Sequence, residues 1–243
     1  RLLVHNDRRD GVAVGVVRDI DGRETRVYDR PIYAISPDGS RAWSLNFARL
    51  ATYRPGYGYA GLIDPGAECP HPADDGIFAI DLASGQSRLI VSLEQLAALE
   101  PTPAMQGQAH WINHIQPNPA GSRIAFFHLW REGERGWGVR LYVSRGDGTE
   151  LRCALDTGRI SHYDWLDEDH IVVWARRREG GERFLIVDVR DGSSRTFGEG
   201  ILTEDGHNSF SPDRRWMLND TYPDGHDMRT LMLVQWPQGR RID

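Results

Sequence analysis

Residues 108–130, QAHWINHIQPNPAGSRIAFFHLW, read as strand, tight turn, strand. Ile112 to Ile115 runs apolar into the turn Asn118-Pro119-Ala120-Gly121, and Ile124 to Phe127 runs apolar out of it to His128. Counted from Pro119, His114 lies five residues before and His128 nine after, so both imidazoles are expected near the same open end of one hairpin.

The same frame recurs. Residues 32–47 (IYAISPDGSRAWSLNF), 162–176 (HYDWLDEDHIVVWAR) and 207–221 (HNSFSPDRRWMLNDT) are again two short apolar strands around a Pro/Asp/Gly turn. Each is followed by a second hairpin: 76–91, 139–155, 183–198 and 230–242. The turn origins Pro119, Asp167 and Pro212 are 48 and 45 residues apart. Four strands recurring at that period predict an all-β fold, a β-propeller of four-stranded antiparallel blades.

The first spacing is longer, 82 residues from Pro37 to Pro119, and two insertions fill it. One is an aromatic, glycine-rich loop from Tyr53 to Asp75. The other is SLEQLAALEP, where Ser92 and Gln95 form a capping box and Leu93, Leu96 and Ala97 share a face; it is the only helix the sequence predicts. Residues 12–28 look like the outer hairpin of a blade whose inner hairpin is missing. The expected layout of 1–243 is one propeller domain: a half blade at 12–31, then blades at 32–93, 110–157, 160–200 and 205–242. About four and a half blades are expected to form part of a larger, seven-bladed ring. The sequence opens at Arg1, which adds to the expectation that it is processed or a piece of something longer.

Composition narrows the function. A net charge of −6 and pI near 5.9 give no basic footprint for nucleic acid. All 29 basic residues are Arg, which excludes a Schiff-base or P-loop lysine. No apolar run approaches the ~18 residues of a membrane span, and no signal peptide is read; nothing points to a compartment. Cys69 and Cys153 are too few for a disulfide framework. Cys153 reads as a buried strand residue, while Cys69 beside His71 offers at most half of a metal site.

The frame also selects residues. Ile32, His114, His162 and His207 stand five before the turn origin, and Asn46, His128, Arg176 and Thr221 stand nine after. In a propeller these positions line one mouth of the channel. Three His of nine therefore fall on incoming positions, with Tyr163 beside one of them. Asn46 and Tyr57 are expected to contact substrate. Arg176 is followed by Arg177 and Arg178, which by themselves read as a solvated loop. The competing reading is structural, because polar residues at blade ends also satisfy strand backbones.

The turns SPDGS and SPDRRW, with outer hairpins of the type LYV-x3-DGTEL, resemble TolB-type propeller repeats. NHIQPNPAGSRIAFFH, SHYDW and DGHNSFSPDRRWMLNDTYPD resemble the propeller polysaccharide lyases, namely oligogalacturonate lyase and the ulvan lyases, over Asp75 to about Leu233. Likeness to oligogalacturonate lyase implies a catalytic His114 and metal ligation by His162 and His207, with a divalent cation such as Mn, Zn or Ca. That family's Gln and second His ahead of the FSPD histidine are absent; TEDG stands there, with Glu204 or Asp205 as substitutes. Likeness to the ulvan lyases implies roles for His114, His128, Tyr163, Arg176 and Tyr222.

The implied activity is β-elimination on an acidic poly- or oligosaccharide. It needs the uronate carboxylate neutralised, a base for the adjacent proton and an acid for the leaving oxygen, tasks that suit His, Tyr and Arg. The aromatic loop offers rings for sugars to stack on. Two alternatives stand beside it: a non-catalytic binding or assembly module, and the propeller domain of a larger hydrolase. No G-x-S-x-G motif occurs in these residues.

Overall fold

A computed structural model describes residues 1–134, 136–176 and 180–243. Arg177 and Arg178 lie outside the described residues. The chain carries five antiparallel sheets, four of them four-stranded. The first is β1 (Leu2–Arg9), β2 (Val12–Asp19) and β3 (Glu24–Tyr28). The second is β4 (Ala34–Ile35), β5 (Arg41–Ser44), β6 (Gly76–Asp81) and β7 (Ser87–Ser92). The third is β8 (His110–Pro117), β9 (Arg123–Glu132), β10 (Gly136–Arg145) and β11 (Arg152–Leu155). The fourth is β12 (Ile160–Trp165), β13 (His170–Arg176), β14 (Glu182–Asp188) and β15 (Ser194–Thr196). The fifth is β16 (Ser209–Phe210), β17 (Trp216–Asp220), β18 (Leu231–Gln235) and β19 (Arg240–Ile242). In every sheet the strands pair in chain order, the meander that the repeat predicts.

Two local features differ from the sequence reading. The first sheet has three strands, because β1 pairs along its whole length with β2. The turn that joins them is Asp10-Gly11, with φ of 49° and 82°. Two consecutive positive φ values match the right-handed twist of a hairpin, which is why Asp-Gly is favoured there. Second, the loop after β5 opens with a helix, α1 (Phe47–Tyr53), beside the expected α2 (Leu93–Ala98). The Asn46 side chain caps α1 by accepting from the Ala48 and Arg49 amides; Ser92 caps α2 by accepting from Gln95.

The chain folds as two compact units, 1–138 with 144–151, and 139–143 with 152–243. In the first, Val17, Tyr28, Ile32, Ala42 and Ile80 form one apolar cluster, with Val4, Ile35 and Leu82 against it. Arg49 is buried there and fully bonded. It donates to the carbonyls of His110, Gly66, Cys69 and Pro70 and pairs with Asp64, so one guanidinium ties α1 to the inserted loop and to β8. In the second unit Val172, Trp174, Phe184, Ile186, Met217, Met232 and Val234 form the core. Burial of this kind contributes roughly 1.5–3 kcal/mol per large apolar side chain.

Turn length decides the register. The inner turns close from the Ser36, Asn118 and Ser211 amides to the carbonyls of Arg41, Arg123 and Trp216, five residues on. In the fourth sheet the Leu166 amide closes on His170, only four residues on. Incoming positions therefore align as expected, but outgoing positions in that sheet shift by one. Ala175, not Arg176, is the counterpart of Asn46, His128 and Thr221.

Candidate functional site

In the first unit the β8–β9 ladder runs Asn113 opposite Phe127, then Gln116 opposite Ala125, with His114 and Ile115 bulged between. His114 sits at φ 55°, in the left-handed region. For a non-glycine residue this conformation costs of order 1–3 kcal/mol and persists only where the surroundings impose it. Here they do. The His114 amide, taken out of the ladder by the bulge, donates to the Tyr33 hydroxyl at 3.0 Å and to Asn113 Oδ1 at 2.9 Å. Tyr33 in turn donates to Asn113 Oδ1 at 2.9 Å. Burial pushes the Tyr33 hydroxyl pKa up, so it stays protonated for that bond. The half-buried His114 ring lies between Tyr57 and Phe127, at 5.7 and 5.1 Å between centroids.

His128 is placed differently from the expected open mouth: it is fully buried opposite Ile112. Its Nε2 lies 2.7 Å from Nδ1 of His110, a residue outside the repeat frame, and the rings stack at 5.0 Å. His110 Nε2 faces the Met105 carbonyl at 3.3 Å. A carbonyl only accepts, so His110 carries its proton on Nε2 and its Nδ1 accepts a hydrogen bond from His128 Nε2–H. Burial drives the His110 pKa down to about 4, so that ring is neutral near pH 7. His71 meets His110 edge-on at 5.6 Å.

In the second unit the rings of His162 and His207 approach to 4.0 Å. His162 Nδ1 lies 3.1 Å from Asp205 Oδ1, and His207 Nδ1 lies 3.0 Å from Asp220 Oδ1. A carboxylate accepts, which puts both protons on Nδ1 and turns both Nε2 lone pairs outward from these bonds. Burial works against ionisation of Asp220, but bonds from the His207 amide and ring hold its pKa below the usual carboxylate range. Tyr222, half exposed, lies 5.9 Å from His162 and 6.1 Å from His207. Gly206 is required for this approach, because a Cβ there would lie 1.5 Å from the Asp220 carbonyl oxygen. Among the described residues no three or more His, Cys, Asp or Glu side chains converge as a metal site, at this pair or at Cys69 and His71.

The remaining expected residues have other partners. Asn46 caps α1 and donates to Asp64 and Asp75, which commits its amide. Burial raises the Asp75 pKa. Tyr163 is buried in β12 opposite Val173. Arg176 ends β13, exposed, 3.7 Å from Glu182. Of the aromatic loop, Tyr53 stacks on Trp111 at 5.3 Å and Tyr59 on Phe47 at 4.5 Å, leaving Tyr57 beside His114. Cys69 is exposed and Cys153 half-buried, both free thiols.

No protein-family model matches the chain, and no curated protein matches it. Solved structures do. TolB from Acinetobacter baumannii matches over 99% of this chain and 51% of its own, with TM-score 0.55 and 14% identity. The chain has a TolB-like β-propeller fold. The β-propeller domain of the Trilobed protease from Pyrococcus furiosus matches with TM-score 0.59 at 15% identity, over 99% of this chain and 66% of its own. An oligogalacturonate lyase in complex with manganese matches with TM-score 0.64 at 15% identity, over 98% of this chain and 61% of its own. The chain thus spans about half the length of the first and three fifths of the last. At such identities the likeness establishes the fold, and it is shared by a lyase, TolB and peptidase propeller domains. No helix of the described residues is long and apolar enough to cross a membrane.

Proposed function

We propose that this chain belongs to a polysaccharide lyase that cleaves uronic-acid chains by β-elimination. The observation that carries this reading is His114. A residue of the right chemical type is held in a strained left-handed bulge by two neighbouring side chains, and such strain concentrates at sites where position matters more than stability. In the reaction a base takes the proton alpha to the uronate carboxylate, the electron pair forms the new C=C bond, the C–O bond to the neighbouring sugar breaks, and the leaving oxygen gains a proton. His114 is the proposed base, with its backbone fixed and its ring set between Tyr57 and Phe127. His162 and His207, each donating to an aspartate, present Nε2 lone pairs that suit a second proton-transfer or ligating role. Among the described residues no third His, Cys, Asp or Glu joins the two imidazoles as a metal-ligand group, and the proposed proton transfers are given to side chains.

The test is the absorbance of a conjugated unsaturated uronate while polygalacturonate, alginate and ulvan are screened. Product is expected from one of them, with His114→Ala lowering turnover by about a hundredfold or more at unchanged melting temperature. No product from any of the three overturns the reading. A binding or assembly propeller is the second reading. It is favoured by Asn46 and His128, two frame positions committed to a helix cap and to a buried bond. Uronate binding without product would establish it.

A further inference from the structure

Beside His114 the first unit carries an exposed arrangement outside the repeat frame. Arg54 Cζ lies 4.0 Å from the ring centroid of Trp137 and 5.0 Å from that of Tyr57. Tyr57 is 5.7 Å from the His114 ring, so Trp137, Arg54, Tyr57 and His114 form one continuous row. Both outer aromatics are open to solvent, Trp137 at 39% and Tyr57 at 44%.

The position of the row is fixed by the backbone. Arg54 is the C-cap of α1, its amide bonded to the Leu50 carbonyl, and the Tyr57 amide bonds to the Arg54 carbonyl. Gly58 then lies so close to α1 that a Cβ there would meet the Phe47 carbonyl oxygen at 2.2 Å, and the Tyr59 amide donates to that same carbonyl. Trp137 comes from β10, at its exposed beginning.

The guanidinium is what gives the row a ligand. Arg8, Arg9, Arg26 and Arg49 in this unit spend their N–H groups on carbonyls or carboxylates. Among the described residues the Arg54 side chain makes cation–π contacts, to Tyr57 and Trp137. Among the described residues no carboxylate or carbonyl accepts from its side chain, and cation–π contacts consume none of its five donors. A planar fork of unspent donors matches a carboxylate bidentately, and exposed Trp and Tyr faces match the C–H face of a pyranose ring.

We propose that Arg54, Trp137 and Tyr57 form a binding subsite for an acidic sugar, in which Arg54 clamps a uronate carboxylate and the two aromatics carry the ring. It deepens the proposed uronate specificity and rests on that reading. It assigns carboxylate recognition to Arg54 rather than to Arg176, whose charge faces Glu182.

The experiment is calorimetric titration of the chain with tri-galacturonate and with its fully methyl-esterified form, at low and high salt. The wild type is expected to bind the acid about tenfold or more tightly than the ester, and to lose that margin in salt. Arg54→Gln is expected to bind the acid as weakly as the ester, Arg54→Lys to recover part of the difference, and Trp137→Ala to weaken both ligands alike. Each variant's melting curve checks that it is folded. Acid binding unchanged in Arg54→Gln, equal binding of acid and ester by the wild type, or no binding of either overturns the subsite. The lyase reading fails separately: acid binding that depends on Arg54 without unsaturated product leaves the subsite standing and removes the elimination. Product that is lost in His114→Ala but not in Arg54→Gln does the reverse.

Discussion

Two histidine pairs lie in the molecule, one in each unit, and their surroundings give them opposite properties. His110 and His128 are buried and share a 2.7 Å bond, with the Met105 carbonyl as the outer partner of His110. His162 and His207 are at least as close, at 4.0 Å between rings, but each donates to an aspartate. In the first pair desolvation disfavours the imidazolium form of His110. In the second a carboxylate accepts from each ring and fixes its tautomer and orientation. The same residue type thus serves as a buried ring-to-ring bond in one place and as an aspartate-bonded pair, with His207 exposed, in the other.

The contrast is sharpest under truncation. His207→Ala and His162→Ala are expected to lower uronate turnover about a hundredfold or more while shifting stability by less than about 1 kcal/mol, as activity assays and urea unfolding would show. His110→Ala should do the opposite, costing about 2–4 kcal/mol, because it opens a cavity and leaves the His128 donor buried without its acceptor. Equal stability losses at the two pairs would break the comparison.

Acid separates them next. The folded pKa of His110, about 4, lies below the ordinary value near 6.5, so folding favours the neutral ring. That contribution is complete above pH ~6.5 and is lost as pH falls toward ~4, to a total of at most about 3 kcal/mol. Urea midpoints followed from pH 7 to 4.5 should fall more steeply in the wild type than in His110→Phe. Parallel curves would remove the buried pair as the cause.

The smallest effect is expected from the carboxylates. Asp220→Asn keeps an acceptor for the His207 ring but removes the charge, and should reduce turnover by roughly tenfold or less with a changed pH profile. A change in stability alone would mark Asp220 as structural, through its bond to the His207 amide.

Much of the fold was legible because hydrophobic alternation and Pro/Asp/Gly turns act locally. The capping box at Ser92 likewise predicted α2. Two further local signals were present and unused: Asp10-Gly11, the hairpin turn that brings β1 to β2, and Asn46 ahead of Phe47 and Leu50, the cap and buried face of α1. The candidate residues were legible only as positions. Equal offsets put His114, His162 and His207 in register, yet the fourth turn is one residue shorter, and the period-two alternation of a strand turns a one-residue slip into a change of face.

By itself, then, the sequence determined the four four-stranded sheets, their order and the incoming histidines, since periodicity and turn chemistry are properties of neighbours along the chain. Tertiary structure alone decided the left-handed bulge at His114, the burial of His128 against His110, the aspartates on His162 and His207, and the unspent donors of Arg54. Each depends on groups that meet across long sequence separations, as Tyr33 meets His114 and Asp205 meets His162, and it is those meetings that set desolvation, tautomer and charge.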